Sequence, residues 1–470
     1  MTRPVLFRSL LAAAGALALY CLYFFGLGRC GLLGPDEPRY AAIGLQMARS
    51  GDLVMPVLWG KPWFEKPPLL YWMTAAASRL GLDGELAPRL PVALLSAAFL
   101  LFFFAVLRRE FGARAALFAA AILATSDGWL GYSHVAVTDL PLAATFAAGM
   151  LLLMRPAVSW RRAAVSGALF GLAVLAKGLV PLVLLLPALW LLRRNMRALA
   201  VLFGVALAVA LPWYAAITAR AGRAFFDEFI WKHHFARFAS DALQHVQPWW
   251  YFVPVLIAGL APWTPLAALL RRRTFLDVRA RFLLVWFLWG LVFFSVSRNK
   301  LPGYVLPLLP AAAALLGLAL DAARRAWVAL AACAMLVYLF PVAEHVLPLA
   351  LLTGIRRAGV QFPWMPLLPV IALAIAVAAL ELRRHRLAAT LLVSAGVVVA
   401  TAHFVQTSFP VLDRSVSARV AWRKASGQPG RPCIASGGRN FRYGMNYYFG
   451  FEVPDCTGAS GEVPLRAGGS

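Results

Sequence analysis

The chain has 470 residues, of which 61% are hydrophobic and 14% charged, and its mean hydropathy is +0.73. A water-soluble chain carries about 25% charged residues, so this composition excludes a soluble globular protein and points to a helical membrane protein. The net charge of +25 then belongs to arginines that flank membrane segments and meet anionic lipid, and no nucleic-acid partner is needed to explain it.

The first apolar run extends from about Leu10 to Leu27. A cleaved signal peptide has a shorter apolar core and a small-residue cleavage site. A lipoprotein signal ahead of Cys30 is disfavoured because Arg29 stands where a small residue is required. A retained first helix is therefore expected. Thirteen apolar spans follow the hydropathy: roughly 10–27, 90–107, 115–133, 138–154, 163–176, 179–192, 198–217, 250–270, 282–297, 303–320, 326–343, 364–381 and 387–404. With the N-terminus inside, every short cytoplasmic connection holds an arginine pair or triplet, such as Arg108 and Arg109, Arg193 and Arg194, or Arg271 to Arg273. That is the pattern the positive-inside rule requires. The turn at Lys177-Gly178 is short enough for spans five and six to form one bent hairpin. The expected architecture is an all-α polytopic membrane protein over 1–409, with long outer loops at 29–89 and 218–249, and a small outer C-terminal domain over 410–470.

The first outer loop carries the densest chemistry. Its stretch GPDEPRYAAIGLQMARSGDLVMPVLWGKPWFEKPPLLYW sets Asp36, Glu37, Arg39, Asp52, Glu65 and Lys66 among aromatics and prolines. Charges beside lipid are costly to desolvate unless they have a task. Two interfacial helices are expected in this loop, one from near Pro38 to a stop at Gly51, the other after Pro67-Pro68. Span three ends in SDGWLGYSHVAVTDLP, which brings Asp127, His134 and Asp139 to the outer surface. The loop 218–249 mixes aromatics with cations, which suits headgroups or a phosphorylated lipid. A shorter loop from Ser297 to Tyr304 adds Arg298, Lys300 and Tyr304 on the same side. From Pro410 the apolar spans cease, and Cys433 and Cys456 fall in this tail, where a bridge between them is plausible on an oxidising side.

Acids, cations and aromatics gathered on one side of a membrane suit transfer of a sugar from a lipid phosphate. A carboxylate activates the attacking oxygen or stabilises the oxocarbenium-like charge, and cations hold the departing phosphate. The candidate carboxylates are Asp36 and Glu65; the candidate phosphate contacts are Lys66, Arg39, Arg237, Arg298 and Lys300. Plainer readings compete. Asp36 or Glu37 fits a helix N-cap, and Lys66 fits a side chain snorkelling to headgroups. His233, His234 and His245 match no zinc spacing, so no metal is expected. A transporter would want ionisable residues near the midplane, whereas these spans are almost free of charge.

The motif PDEPRYA, followed by SGD and FEKPPLLYW, resembles the first outer loop of the lipid A aminoarabinose transferases, within the protein mannosyltransferase-like GT-C membrane glycosyltransferases. Later pieces agree: Thr138-Asp139-Leu140-Pro141, the run HFARF…QHVQPWWY from His234 to Tyr251, and KLPGYVLP from Lys300 to Pro307. The resemblance implies a GT-C fold in the bacterial inner membrane, a polyprenyl-phosphate-linked sugar donor, inversion at the anomeric carbon, a periplasmic active site and no cofactor. It implies lipid A as acceptor of aminoarabinose or another amino sugar, with a protein or polysaccharide hydroxyl as the alternative. Asp36 and Glu65 match the family's acidic positions, and Lys66 and Arg39 match donor-phosphate contacts. Trp63, His234, Arg237 and Tyr304 match positions lining the same cavity, and Asp139 matches a carboxylate below it. Two departures bear on the sugar and acceptor: Trp63 replaces the family's usual tyrosine, and the C-terminal domain is shorter.

Overall fold

The computed structural model describes residues 3–155, 157–229, 231, 247–354 and 357–467. The chain is an integral membrane protein built almost wholly of helices. Among the described residues six helices are long and apolar enough to cross a membrane: Leu86–Phe111, Met196–Ala221, Val278–Val296, Pro302–Ala322, Trp327–Thr353 and Arg386–Ser415. Shorter apolar helices are Ala13–Tyr23, Ala113–Ala124, Asp139–Leu152 and Leu367–Leu382. Their outward faces are apolar, with Leu101, Leu207, Val292, Ile375 and Val399 all exposed. A surface of that kind is stable against lipid chains and a liability in water.

The expected first loop divides as its prolines and glycines direct. Helix α1 (Arg3–Tyr23) leads into α2 (Asp36–Ser50), α3 (Leu69–Arg79) and α4 (Leu86–Phe111). Gly51 ends α2 in a left-handed conformation and returns its N–H to the Met47 carbonyl, the usual glycine stop. Between α2 and α3 lies a small hairpin, β1 (Val57–Leu58) with β2 (Lys61–Pro62). Neither Asp36 nor Glu37 caps α2, because the helix begins at Asp36 itself and Pro35 holds the cap position with no side-chain bond. Asp52 instead organises the turn after α2. Its Oδ1 accepts from the N–H groups of Val54 and Met55 and from Arg220 at 2.7 Å.

Behind the loop, helices cross where small residues let backbones meet. In α8 (Trp160–Lys177), Gly167 and Gly171 form a small-xxx-small face against the helix Met196–Ala221. A methyl on Gly167 would stand 2.4 Å from the Leu202 carbonyl oxygen, so only glycine permits this crossing. Several expected spans are broken for local reasons. Span 115–133 divides into α5 (Ala113–Ala124) and α6 (Asp127–Ser133), where Ser126 is extended. Span 250–270 is helical only over Phe252–Gly259 and continues as short 3₁₀ turns, since Pro262 and Pro265 lack the N–H that a helix needs. The last long helix passes through Pro410 and ends at Ser415. Here a proline is tolerated inside a well-packed helix, and the change in composition precedes the end of the helix.

At the end of the bundle away from the first loop, each acid meets an arginine. Glu110 is 3% exposed and takes Arg155 at 2.6 Å, with Arg279 at 3.3 Å and Arg162 at 3.4 Å. Arg386 holds Glu381 at 2.6 Å, and Arg114 holds Asp321. After Ser415 comes a small unit: the helix Arg419–Ser426, β3 (Arg431–Ser436), the helix Arg439–Phe449 and β4 (Glu462–Arg466). β3 and β4 pair in parallel, from Arg431 opposite Glu462 to Ile434 opposite Leu465. Ile434, Phe441, Met445, Val453 and Leu465 form its own core, and a disulfide joins Cys433 to Cys456.

Two buried ionic knots fasten the loop and this unit to the bundle. Arg89 and Glu37 are 2% and 0% exposed, and every polar atom of the pair is used. Arg89 donates to Glu37 through Nε at 2.7 Å and Nη2 at 2.8 Å, and to the carbonyls of Leu27, Cys30 and Gly31. Glu37 also accepts from the N–H groups of Leu33 and Ala136. Arg419 forms the second knot. It bonds Asp413 at 2.8 Å, Glu85 at 3.1 Å, and the carbonyls of Gly28 and Arg29. Tyr448 completes it by donating to Glu85 at 2.7 Å and accepting from the Leu32 N–H.

Two outcomes are expected. Removing either partner of the first knot, by Glu37→Ala or Arg89→Ala, leaves a buried unpaired charge and costs about 3–5 kcal/mol; thermal unfolding of the detergent-solubilised protein reads this directly. The Asp52 carboxyl is drawn down to about 2, chiefly by the hydrogen bond from Arg220, against about 3.9 in an unfolded chain. The folded state thus binds fewer protons, so this stabilisation is complete above about pH 4 and lost as pH falls through about 2. Asp52→Asn removes it at neutral pH and flattens the unfolding profile in that acidic window.

Candidate active site

Four of the sequence candidates converge. α2 directs Arg39 inward, and its guanidinium is met by Asp36 from one turn earlier and by Glu65 at 3.1 Å. Glu65 also takes Lys66 at 2.9 Å. Asp36, Arg39, Glu65 and Lys66 therefore form one chain of alternating charge. Arg39 is 3% exposed, Glu65 13% and Lys66 11%, while the Asp36 carboxylate stays open at 43%. Burial pulls the Arg39 guanidinium down, and the neighbouring Glu65, Tyr40 and Asp36 outweigh it, so the group lies above its ordinary range. Lys66 is thus held in an ion pair and is no headgroup-seeking side chain.

Aromatic rings close around that guanidinium. Arg39 lies 5.3 Å from the Trp63 ring, 5.8 Å from Tyr40 and 5.4 Å from Tyr443. Such contacts are worth about 0.5–2 kcal/mol each, more as water is excluded. The Trp63 indole N–H is buried without an acceptor among the described residues. Tyr443 belongs to the helix Arg439–Phe449, so the small C-terminal unit contributes directly to the cluster. Sequence reasoning gave it no part, because nothing in local spacing ties Tyr443 to a motif some four hundred residues earlier.

A second ion pair lies beside the first cluster. Asp139 starts α7 (Asp139–Leu152) and bonds Lys177 at 2.6 Å, where Lys177 ends α8. The Lys177 ammonium sits 4.8 Å from the Tyr304 ring. Tyr132 lies within electrostatic reach of Asp139, Tyr251, Asp36 and Tyr304, which ties the two groups together. Lys177 was read as part of a turn only; a lysine closing an apolar helix is the signal that could have found it. Gly303 backs directly onto this pair. A methyl there would stand 2.3 Å from Asp139 Oδ1 and 2.7 Å from the Tyr132 hydroxyl.

Other candidates are placed differently. Lys300 turns to the backbone, donating to the carbonyls of Gln247, at 3.0 Å, and Ser297. Burial pushes its ammonium below the ordinary lysine range, and it ties the loop Ser297–Pro302 to the segment before Trp249. Arg298 carries further contacts of its own. Asp127 begins α6 with its N–H on the Ala261 carbonyl, and His134 follows α6 with Nδ1 on the Leu130 carbonyl. His233, His234, Arg237 and His245 lie outside the described residues.

The broken-helix membrane bundle that carries this cluster of paired acids and cations has a GT-C architecture, as its likenesses show. Residues 65–217 match the family described as dolichyl-phosphate-mannose-protein mannosyltransferase. An undecaprenyl phosphate-alpha-4-amino-4-deoxy-L-arabinose arabinosyl transferase of Pseudomonas fluorescens is 35% identical over 320 residues, 63% of this chain and 54% of that protein. Its counterpart in Pseudomonas aeruginosa is 35% identical over 327 residues, 65% of this chain and 58% of that protein. The chain thus spans between half and three-fifths of the length of these relatives. The crystal structure of ArnT from Cupriavidus metallidurans bound to undecaprenyl phosphate superposes with a TM-score of 0.78 at 27% identity, covering 95% of this chain and 85% of that one. The archaeal oligosaccharyltransferase AglB of Archaeoglobus fulgidus shares the fold at a TM-score of 0.53 and 14% identity. In sequence and fold the chain is thus similar to the aminoarabinose transferase-like GT-C membrane glycosyltransferases.

A methyl at Gly303 must displace Asp139 or Tyr132. Gly303→Ala is expected to lower turnover by about tenfold or more, about 1.4 kcal/mol or more of barrier, in a protein that still unfolds near the wild-type temperature. Initial rates and melting curves on the same preparation decide it.

Proposed function

We propose that this protein is an inverting glycosyltransferase of the inner membrane. It moves a sugar, aminoarabinose or a related amino sugar, from a polyprenyl-phosphate donor to lipid A on the periplasmic side. The observation that carries the reading is the alternating chain Asp36–Arg39–Glu65–Lys66, with two cations paired to carboxylates, one open carboxylate and aromatic faces around them. The solved relative bound to undecaprenyl phosphate supports the donor class, and the arabinosyl transferase relatives support the sugar.

In this reading Arg39 and Lys66 contact the donor phosphate, and they exchange part of their pairing with Asp36 and Glu65 for it. An oxygen of the acceptor phosphate attacks the first carbon of the sugar from the face opposite the polyprenyl phosphate. The carbon–oxygen bond to that phosphate breaks, and its electron pair leaves with the phosphate, whose growing charge the two cations stabilise. The anionic acceptor needs no base, so Asp36 serves to position groups and to stabilise the oxocarbenium-like charge. Glu65 keeps Arg39 and Lys66 at fixed separation, which removes reorganisation from the barrier. Trp63 offers its ring to the donor and an indole N–H to an oxygen.

Lipid A from matched strains with and without the gene, compared by mass spectrometry, tests this. A strain carrying only Asp36→Asn or only Glu65→Gln is expected to lose the same sugar increment as the deletion, with rates in purified protein down by roughly 10²–10³-fold. Wild-type levels of the increment in the Asp36→Asn strain would defeat the assignment. Sugar missing instead from protein or polysaccharide would move the acceptor to a hydroxyl and make Asp36 the general base.

A further inference from the structure

A separate cleft of about 260 Å³ opens between α2, the β1–β2 hairpin and the C-terminal helix Arg439–Phe449. Arg39, Ala42, Gln46 and Arg49 fall on one stripe of α2, at spacings of three and four residues, so the cleft continues the face that carries Arg39. Its wall toward the charge cluster is the ring pair Trp59–Tyr443, 5.3 Å apart, and Tyr443 in turn faces Arg39. The cleft is therefore next to the proposed transfer site and distinct from it.

The lining is rich in unused donors. Asn446 is 1% exposed, and its Oδ1 accepts from the Val453 N–H at 3.0 Å. That bond assigns the amide oxygen, leaving the amide NH₂ without a partner among the described residues. The Trp59 indole N–H is buried and has no acceptor there either. Gln46 and Arg49 add an amide and a guanidinium at the cleft, neither paired among the described residues. Glu452, the one acid of the lining, is bound to Lys61 at 3.0 Å. Buried donors are normally satisfied, so the Trp59 N–H and the Asn446 amide call for a ligand that brings acceptor oxygens, and the exposed Gln46 and Arg49 stand at the mouth of the same cleft.

Trp59 is also held in an unfavourable backbone conformation. It occupies the first position of a two-residue hairpin turn with φ 47°, followed by Gly60 with φ 83°. Such turns favour asparagine or glycine there, because a side chain at positive φ is strained. A tryptophan kept at that point presents its ring and N–H where an ordinary turn residue would not, and strain of this sort gathers at ligand sites. An aromatic face beside planar polar groups suits a saccharide ring, and a guanidinium suits a phosphate. The volume accommodates little more than one sugar with its substituent, being just below the usual range for ligand pockets.

We propose that this cleft binds the phosphate-bearing saccharide headgroup of the acceptor lipid, with Trp59, Gln46, Arg49 and Asn446 donating to its oxygens. The proposal rests on the transfer reading above. The Arg39–Lys66 cluster takes one phosphate, that of the donor, and the second reactant needs its own place within reach of the sugar.

The test uses the full-length protein in detergent, with Arg49→Ala, Trp59→Phe and Arg49→Lys. Trp59→Phe keeps a ring and removes the N–H, and Arg49 is exposed, so the fold has little reason to change. Initial rates against lipid A are expected to give an acceptor KM raised at least tenfold in Arg49→Ala and severalfold in Trp59→Phe. Arg49→Lys should recover part of the loss, while the donor KM stays within twofold. Binding of glucosamine 1-phosphate, followed by titration calorimetry without donor, should weaken in the same order, with glucosamine alone binding more weakly than its phosphate. Unchanged acceptor KM and unchanged probe binding in Arg49→Ala and Trp59→Phe overturn the proposal while leaving the transfer reading intact. A wild-type protein that transfers nothing yet binds the probe through Arg49 and Trp59 defeats the transfer reading and keeps the saccharide-phosphate cleft. A raised donor KM with an unchanged acceptor KM assigns the cleft to the donor and also overturns the proposal.

Discussion

The structure depends first on one ion pair that never meets water. Glu37 and Arg89 are each buried, and the five guanidinium N–H groups and both carboxylate oxygens are all committed. A buried pair is often no better than packed apolar side chains, because desolvating two charges offsets their attraction. What it supplies here is position. Arg89 binds the carbonyls of Leu27, Cys30 and Gly31 in the irregular segment 27–31, and Glu37 fixes the start of α2, so a loop with little regular structure acquires one geometry. Asp36 and Arg39 then stand one residue before and two after a rigid point. Preorganised charge of this kind is what a transfer site needs, since its groups must not relax as charge develops.

Charge at the two ends of the bundle is used in opposite ways. α4 has 26 residues and at 1.5 Å each spans about 39 Å, with Arg89 near one end and Glu110 near the other. At the Glu110 end acids are few and arginines exceed them, so each of Glu110, Asp277, Asp321 and Glu381 is paired with an arginine. At the Arg89 end acids and bases alternate within single networks, and in the network of Arg39 the Asp36 carboxylate is left partly open. The same residue types fasten one surface and equip the other.

How much of this was legible in the sequence follows from the range of each interaction. The two interfacial helices, their glycine and proline boundaries, and the grouping of Asp36, Arg39, Glu65 and Lys66 were readable because local patterning and one dense motif carried them. The helix breaks at Ser126 and Pro262 lay inside apolar runs, where hydropathy sees only continuity and the missing N–H of a proline counts for more. Asp36 and Glu37 resembled a cap by type, yet the carboxylate of Glu37 serves a partner fifty-two positions away. Lys300 looked like a phosphate contact by charge, and its ammonium is spent on carbonyls. Lys177 and Tyr443 reach the site only through tertiary packing, which no spacing rule encodes.

The C-terminal unit adds a consequence for assembly. Tyr443 covers one side of the Arg39 guanidinium, and Arg419 and Tyr448 tie down residues 28–32. All three residues leave the ribosome after the membrane helices found among the described residues. The loop that carries Asp36 precedes most of those helices, and it stays incomplete until they have been made. The order of translation therefore acts as a timer: the charge cluster acquires this wall only once the helices described beneath it have been laid down.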